Sequence, residues 1–222
     1  MIDPKVSSAI TNALQAFSKY GDFDANALKT KFDEVFSSDE DFMTKVELLD
    51  GVFDDNPKID ELREVFFDLL MINFFSADVK KLEDDYLETP EWEAIEEETI
   101  DRGTELLNVL LYLNECQDED IEPELDDFLK EFLLVDEDEF QDEYRIYEPI
   151  ITNQILMESP VSEIKKVAGT LDEESELLDL FYPIMCFFQN TAPEDTDKDA
   201  IAENAVNKPF DMAVIEILVS FN

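Results

Sequence analysis

Histidine is missing altogether from this sequence. Its absence removes the commonest general base, the Ser-His and Cys-His nucleophile pairs, and the usual zinc and non-haem iron ligand sets. Glycine is nearly missing too, with four residues in 222, and none forms the Gly-rich loop that cradles phosphate or a dinucleotide. All-β proteins and Rossmann-type proteins need glycine at tight turns and phosphate loops. Short runs of alternating apolar and polar residues are scarce as well, so helices remain.

Two cysteines, Cys116 and Cys186, make no disulfide framework. The stretch Met1–Tyr20 lacks the basic start and continuous apolar run of a signal peptide. The longest apolar runs are Val65–Phe75, interrupted by Asp68 and Asn73, and Met212–Phe221, interrupted by Glu216. Both fall short of the roughly 20 residues that cross a bilayer, so the expectation is a cytoplasmic protein without a membrane partner. Basic residues are also few: 16 face 58 acidic ones, for a formal net charge of −42. A surface of that sign repels DNA, RNA and anionic lipid.

What the chain does have is apolar mass. Hydrophobic residues make up 45% and include 18 phenylalanines, which places it among folding chains despite its acidity. Helix signals are dense. Asp3 and Pro4 open the first helix, Gly21 suits its exit, and Val6, Ile10, Ala13, Leu14 and Phe17 recur at helical spacing. Further helices are expected from Asp24, after Ser38, and over 57–76, where residues 65–75 are apolar nearly all round, as in a central core helix. A short helix over 77–87 follows. The longest is expected from Thr89-Pro90 to Glu115, with Trp92, Ile95, Thr99, Gly103, Leu106, Leu110 and Leu113 on one face. Beyond the polar stretch 115–124, helices are read at 124–134, 137–157 with an interruption at Pro149, 160–169, 173–190 with a kink at Pro183, and 208–220.

The resulting fold class is all-α: a multi-helix bundle or irregular helical-repeat array of about ten helices. The segment beginning Glu61-Leu62 aligns onto Glu176-Leu177, and Ala94–Leu113 aligns onto Ala200–Val219. This suggests two related halves, 1–115 and 116–222, although amphipathic periodicity alone brings apolar positions into step.

Carboxylates supply what chemistry is left. Glu93 and Glu96 form E-x-x-E, and Glu115 and Asp118 form E-x-x-D. In this local spacing the chain resembles all-α nucleotide pyrophosphatases, which hold Mg²⁺ between two such helices. The resemblance implies a carboxylate-metal enzyme acting on a small phosphorylated molecule, with residues three apart sharing a helix face. Asp195, Asp197 and Asp199 resemble the opening of an EF-hand calcium loop, but Ala200 replaces the glycine of that loop and Val206 its bidentate glutamate. Both patterns span a few residues of a chain in which chance matches are frequent. The balance points away from an enzyme, and no cofactor is expected.

The acid runs point elsewhere. Glu96, Glu97 and Glu98 form one, and Asp136, Glu137, Asp138, Glu139, Asp142 and Glu143 form another. Carboxylates at helix N-termini are locally favourable by about 0.3–1 kcal/mol each, which accounts for part of the pattern. It does not account for the whole surplus, which repels itself at low ionic strength. The reading that follows is a protein-binding module whose acidic face engages a basic protein, as a DNA mimic or inhibitor, an immunity protein, or a chaperone.

Overall fold

The structure, a computed structural model, describes residues 2–77, 84–136, 139–140 and 145–222. It is all-α. The first helix, α1 (Pro4–Tyr20), starts where Asp3 accepts hydrogen bonds from the Lys5 and Val6 amides, with Pro4 in the first turn. After a 3₁₀ turn capped by Asp24 come α2 (Lys29–Ser37) and α3 (Phe42–Asp54), the latter capped by Asp41. A second 3₁₀ turn, Pro57–Leu62, leads into α4 (Arg63–Ala77). Because α4 is apolar on every side, it lies inside: Val65 through Ile72 are all buried.

Of the expected helix over 77–87, the described part is α5 (Asp84–Leu87), and residues 78–83 lie outside the described residues. The expected long helix from Thr89 to Glu115 is two helices, α6 (Pro90–Thr99) and α7 (Leu106–Glu119). Gly103 stands between them at φ +83°, a left-handed conformation that ends one helix and redirects the chain. The apolar spacing runs on through the break, which is why periodicity alone does not reveal it. At the far end of α7, Asp120 takes a left-handed conformation as the helix cap, and the Tyr112 hydroxyl ties down the following loop through both the amide and the carbonyl of Glu124.

The helix α8 (Leu125–Leu133) agrees with expectation; of the helix expected over 137–157, residues 137, 138 and 141–144 lie outside the described residues, and the others do not form one continuous helix. A short antiparallel pair, β1 (Leu134–Asp136) with β2 (Glu139–Phe140), stands there, followed by α9 (Glu148–Thr152) and a 3₁₀ turn, Gln154–Glu158. Pro149 begins α9 instead of interrupting a longer helix. Next come α10 (Val161–Ala168) and α11 (Phe181–Gln189). The expected helix over 173–190 therefore loses its first turns, and Pro183 falls in the opening turn of α11. Amides in that turn have no intrahelical acceptor, so the proline costs no hydrogen bond and makes no kink. Finally come α12 (Asp195–Asn204), within the polar stretch 191–207, and α13 (Lys208–Phe221).

A single contiguous core takes residues from Val6 to Phe221, with α1 lying along α13. Polar clasps join distant elements at its edge. The Asp3 amide donates to Asn73 on α4 (2.8 Å), Lys5 donates to Asn114 on α7 (2.9 Å), and Asn12 donates to Ser220 on α13 (3.0 Å). The two aligned stretches share part of their order of elements, a central apolar helix (α4, α11) and later a helix pair joined by a loop (α6–α7, α12–α13), but α5 intervenes in the first alone. Both central helices pack on the last helix of their stretch.

The turn at Gly103 generates a specific expectation. A β-carbon there would stand 2.7 Å from Asp68 Oδ1 and 3.2 Å from the Phe67 ring, in a backbone conformation that side chains disfavour. Gly103→Ala should cost roughly 2–3 kcal/mol in urea denaturation. Gly51→Ala, within α3 and with open space around it, should stabilise by about 0.5–1 kcal/mol. Equal effects at the two glycines would contradict the assigned backbone.

Candidate functional site

Two of the chain's three arginines meet at one carboxylate. Asp50, on α3, accepts from Arg102 through both terminal nitrogens (3.0 Å each) and from Arg63 Nη1 at 3.1 Å. Glu64, on α4, accepts from Arg102 Nε at 3.0 Å and from the Gly103 amide at 2.8 Å. Asp54 and Asp60 hold the other side of Arg63. The guanidiniums also lie over rings, Arg102 over Phe67 at 4.8 Å and Arg63 over Phe53 at 5.4 Å. Burial alone would lower the Arg102 pKa, but the hydrogen bonds it donates to Asp50 and Glu64 outweigh it and raise it. This cluster is a fastening between α3, α4 and the 100–105 turn.

Below it, Asp68 is fully buried and accepts from the Thr104 amide (2.9 Å) and hydroxyl. Burial pushes its carboxyl well above the usual range, the two Thr104 bonds oppose the shift, and the charges of Glu64 and Glu105 add to it. A second buried carboxylate, Asp211, opens α13 and accepts from the amides of Val206 (2.7 Å) and Asn207 (3.0 Å). Burial raises it to about 7, against those amides and with help from Asp179 and Glu61.

Turning the chain at Gly103 leaves α6 as a short outer helix. Its acids Glu93, Glu96, Glu97 and Glu98 are all exposed, in agreement with a solvated face. Between α6, α4 and the start of α3 runs a groove of about 410 Å³. Phe42, Leu70, Phe74 and Ile95 form its apolar lining, and Phe42 and Phe74 pack at 4.8 Å between ring centres. Its acidic lining residues are Glu40, Asp41, Glu91 and Glu98, with Lys45 the one cation among the described residues that line it. The single tryptophan, Trp92, sits beside it on α6, 5.4 Å from Phe75 and 6.2 Å from Tyr86. Sequence reasoning marked Glu96–Glu98 but missed the groove, since its lining comes from three segments some twenty to fifty residues apart. The signal available for it was the i, i+3, i+4, i+7 series of Glu91, Ala94, Ile95 and Glu98.

The remaining sequence candidates are dispersed. Glu93 and Glu96 lie on α6, and Glu115 and Asp118 near the exposed end of α7, beyond the turn that separates the two helices. Among the described residues no group of three or more acidic, Cys or His side chains is placed to hold a metal ion. Asp195 and Asp197 lie in the first turn of α12 and Asp199 follows them on the same helix, not in a loop: Asp197 accepts from the Glu194 amide at 3.0 Å in a capping box. Asp136 and Glu139 lie on the β1–β2 pair, while Glu137, Asp138, Asp142 and Glu143 lie outside the described residues. Cys116 is buried on the inner face of α7, and Cys186 is core, its thiol pushed up to about 12 by burial. Among the described residues no helix is long and apolar enough to cross a membrane.

The fold and the groove thus define an all-α, strongly acidic protein. No family model, no curated protein and no solved structure matches this chain.

Asp211 also sets a pH dependence. Its folded pKa, about 7, stands above the ordinary carboxylate value of 3.8. The native state therefore holds a proton that the unfolded state gives up, and the associated stability is complete below about pH 4 and lost as pH rises through 7. Asp211→Asn keeps an oxygen acceptor for both amides and removes the titration. Chemical denaturation of the variant should lose less stability between pH 5 and pH 8 than the parent does, and parallel profiles would refute the assignment.

Proposed function

We propose that the protein is a binding module for a strongly basic protein partner, engaged through its acidic surface. The observation that carries this reading is the division of labour among the carboxylates. A minority are consumed by the fold, in the Arg63–Arg102 cluster, in helix caps at Asp3, Asp24 and Asp41, and in pairs such as Glu216 with Lys198 at 2.7 Å. With 58 acids against 16 bases, most of the others have no cation in the chain to meet. Exposed like charge at this density opposes compaction, yet raises the rate of encounter with an oppositely charged partner by ~10–10³-fold.

Glu96, Glu97 and Glu98 on α6 supply the exposed part of that face nearest the groove. A partner of DNA-binding, toxin or client type would meet it with lysine and arginine, so the complex should be sensitive to salt. The direct test is affinity capture on the immobilised protein from lysate of its own cells, eluted in steps of rising salt. A stoichiometric basic protein released between moderate and high salt is the expected result. A column that retains nothing above background would remove the reading and leave the acidity as a property of the bulk surface.

A further inference from the structure

The groove between α3, α4 and α6 combines two features. One is an apolar floor. Phe42, Leu70 and Ile95 are buried beneath it, and Met43 and Phe74 are partly open to it. The other is a rim of carboxylates. Asp41 is committed to capping α3, where its hydrogen bonds from the Thr44 amide and hydroxyl hold its pKa down. Glu40, Glu91 and Glu98, by contrast, make no ion pair or hydrogen bond among the described residues. These charges stand preformed beside apolar surface.

The groove's walls have helical spacing. Leu70, Asn73 and Phe74 are i, i+3 and i+4 on α4, and Glu91, Ala94, Ile95 and Glu98 are i, i+3, i+4 and i+7 on α6. Asn73 is not free to close the space, since its side chain accepts the Asp3 amide at 2.8 Å. Glu91 and Glu98 lie two turns apart on one face, about 10 Å along the helix axis. Basic residues seven apart on a helix lying alongside would meet both. Between them, that helix would offer apolar residues to the floor. A second copy of this chain is a poor occupant, because each copy carries a net charge of −42.

We propose that this groove is the docking site for a cationic amphipathic helix, with Phe42, Phe74 and Ile95 taking its apolar stripe and Glu91 and Glu98 its flanking lysines or arginines. The inference rests on the reading of the protein as a module for basic partners, and it adds the place and the form of the contact. Trp92, next to Glu91 on α6, reports occupation.

The test uses the full chain and two synthetic peptides of about 18 residues and identical Lys, Leu and Ala composition, some five helical turns long. In one, leucines follow i, i+3, i+4, i+7 spacing, and in the other their order is scrambled. Binding is read at 0.15 M salt by anisotropy of a labelled peptide and by Trp92 emission. The expected outcome is 1:1 binding of the amphipathic peptide at least about tenfold tighter than the scrambled one, with a change in Trp92 emission. The double variant Glu91→Gln/Glu98→Gln should weaken binding about fivefold or more, while Glu122→Gln/Glu173→Gln, which removes as much exposed charge elsewhere, changes it less than about twofold. Circular dichroism checks that each variant remains folded. Equal binding of the two peptides, or equal weakening by the two double variants, would overturn the groove and leave the basic-partner reading standing. That reading fails on its own readout, the salt-stepped capture. Absence of binding by both peptides would overturn the groove as well.

Discussion

The bidentate pairing of Arg102 with Asp50 is the contact on which the placement of the other elements turns. It joins residues 52 positions apart, draws the 100–105 segment onto α3 and α4, and does so at a point where the apolar pattern would otherwise continue one helix. Glu64 completes the clasp by accepting both the Arg102 side chain and the Gly103 amide, so charge and backbone are fixed together. Partly buried arginine pairs of this kind contribute only when geometry and hydrogen bonding are good. Here Arg102 satisfies two carboxylates and lies on a phenylalanine ring. Once the chain has turned, α7 can enter the core with Leu106, Val109, Leu110 and Leu113, while α6 stays outside with its acids in water.

Net charge and fold are in tension in this molecule. Eighteen phenylalanines and two helices apolar on nearly every face, α4 and α11, supply burial strong enough to hold a surface of one sign together. The few cations are placed where several carboxylates converge, as at Arg63 with Asp50, Asp54 and Asp60. Where no cation is close, backbone amides take the role. Asp211 and Asp68 are buried on amides, and Asp197 closes a capping box. The groove beside α6 departs from that economy, because Glu40, Glu91 and Glu98 border apolar surface without either kind of partner among the described residues.

Much of this fold is legible in the sequence because proline and aspartate mark helix starts locally. Asp3-Pro4, Asp24 and Thr89-Pro90 all cap or open helical turns as their chemistry suggests. The apolar runs at 65–75 and 177–188 are buried except at Phe74, Leu178 and Asp179, for the same direct reason, that almost no face of them tolerates water. The misreadings arose where a long-range contact overrode a local pattern. Gly103 looked like a tolerated glycine in a helix face, and only Asp50, Glu64 and Asp68 make it a turn. Pro183 looked like a kink because the residues before it were apolar enough to be helical, though they form turns. Asp195, Asp197 and Asp199 share their spacing with a calcium loop because a capping box and a calcium loop both begin with spaced carboxylates, and Ala200 and Val206 already separated the two in the sequence. The groove was least legible, since no single segment carries it.

The account's central claim is that Arg102 and Asp50 are energetically coupled and that this coupling holds the turn between α6 and α7. A double-mutant cycle with Arg102→Ala and Asp50→Ala, read by urea denaturation, measures it directly. The account predicts a coupling energy of about 1.5 kcal/mol or more, with the double variant little worse than the more damaging single one. Strictly additive effects, with a coupling below about 0.3 kcal/mol, would contradict it and shift the origin of the turn to Gly103 and the buried Asp68–Thr104 contact alone.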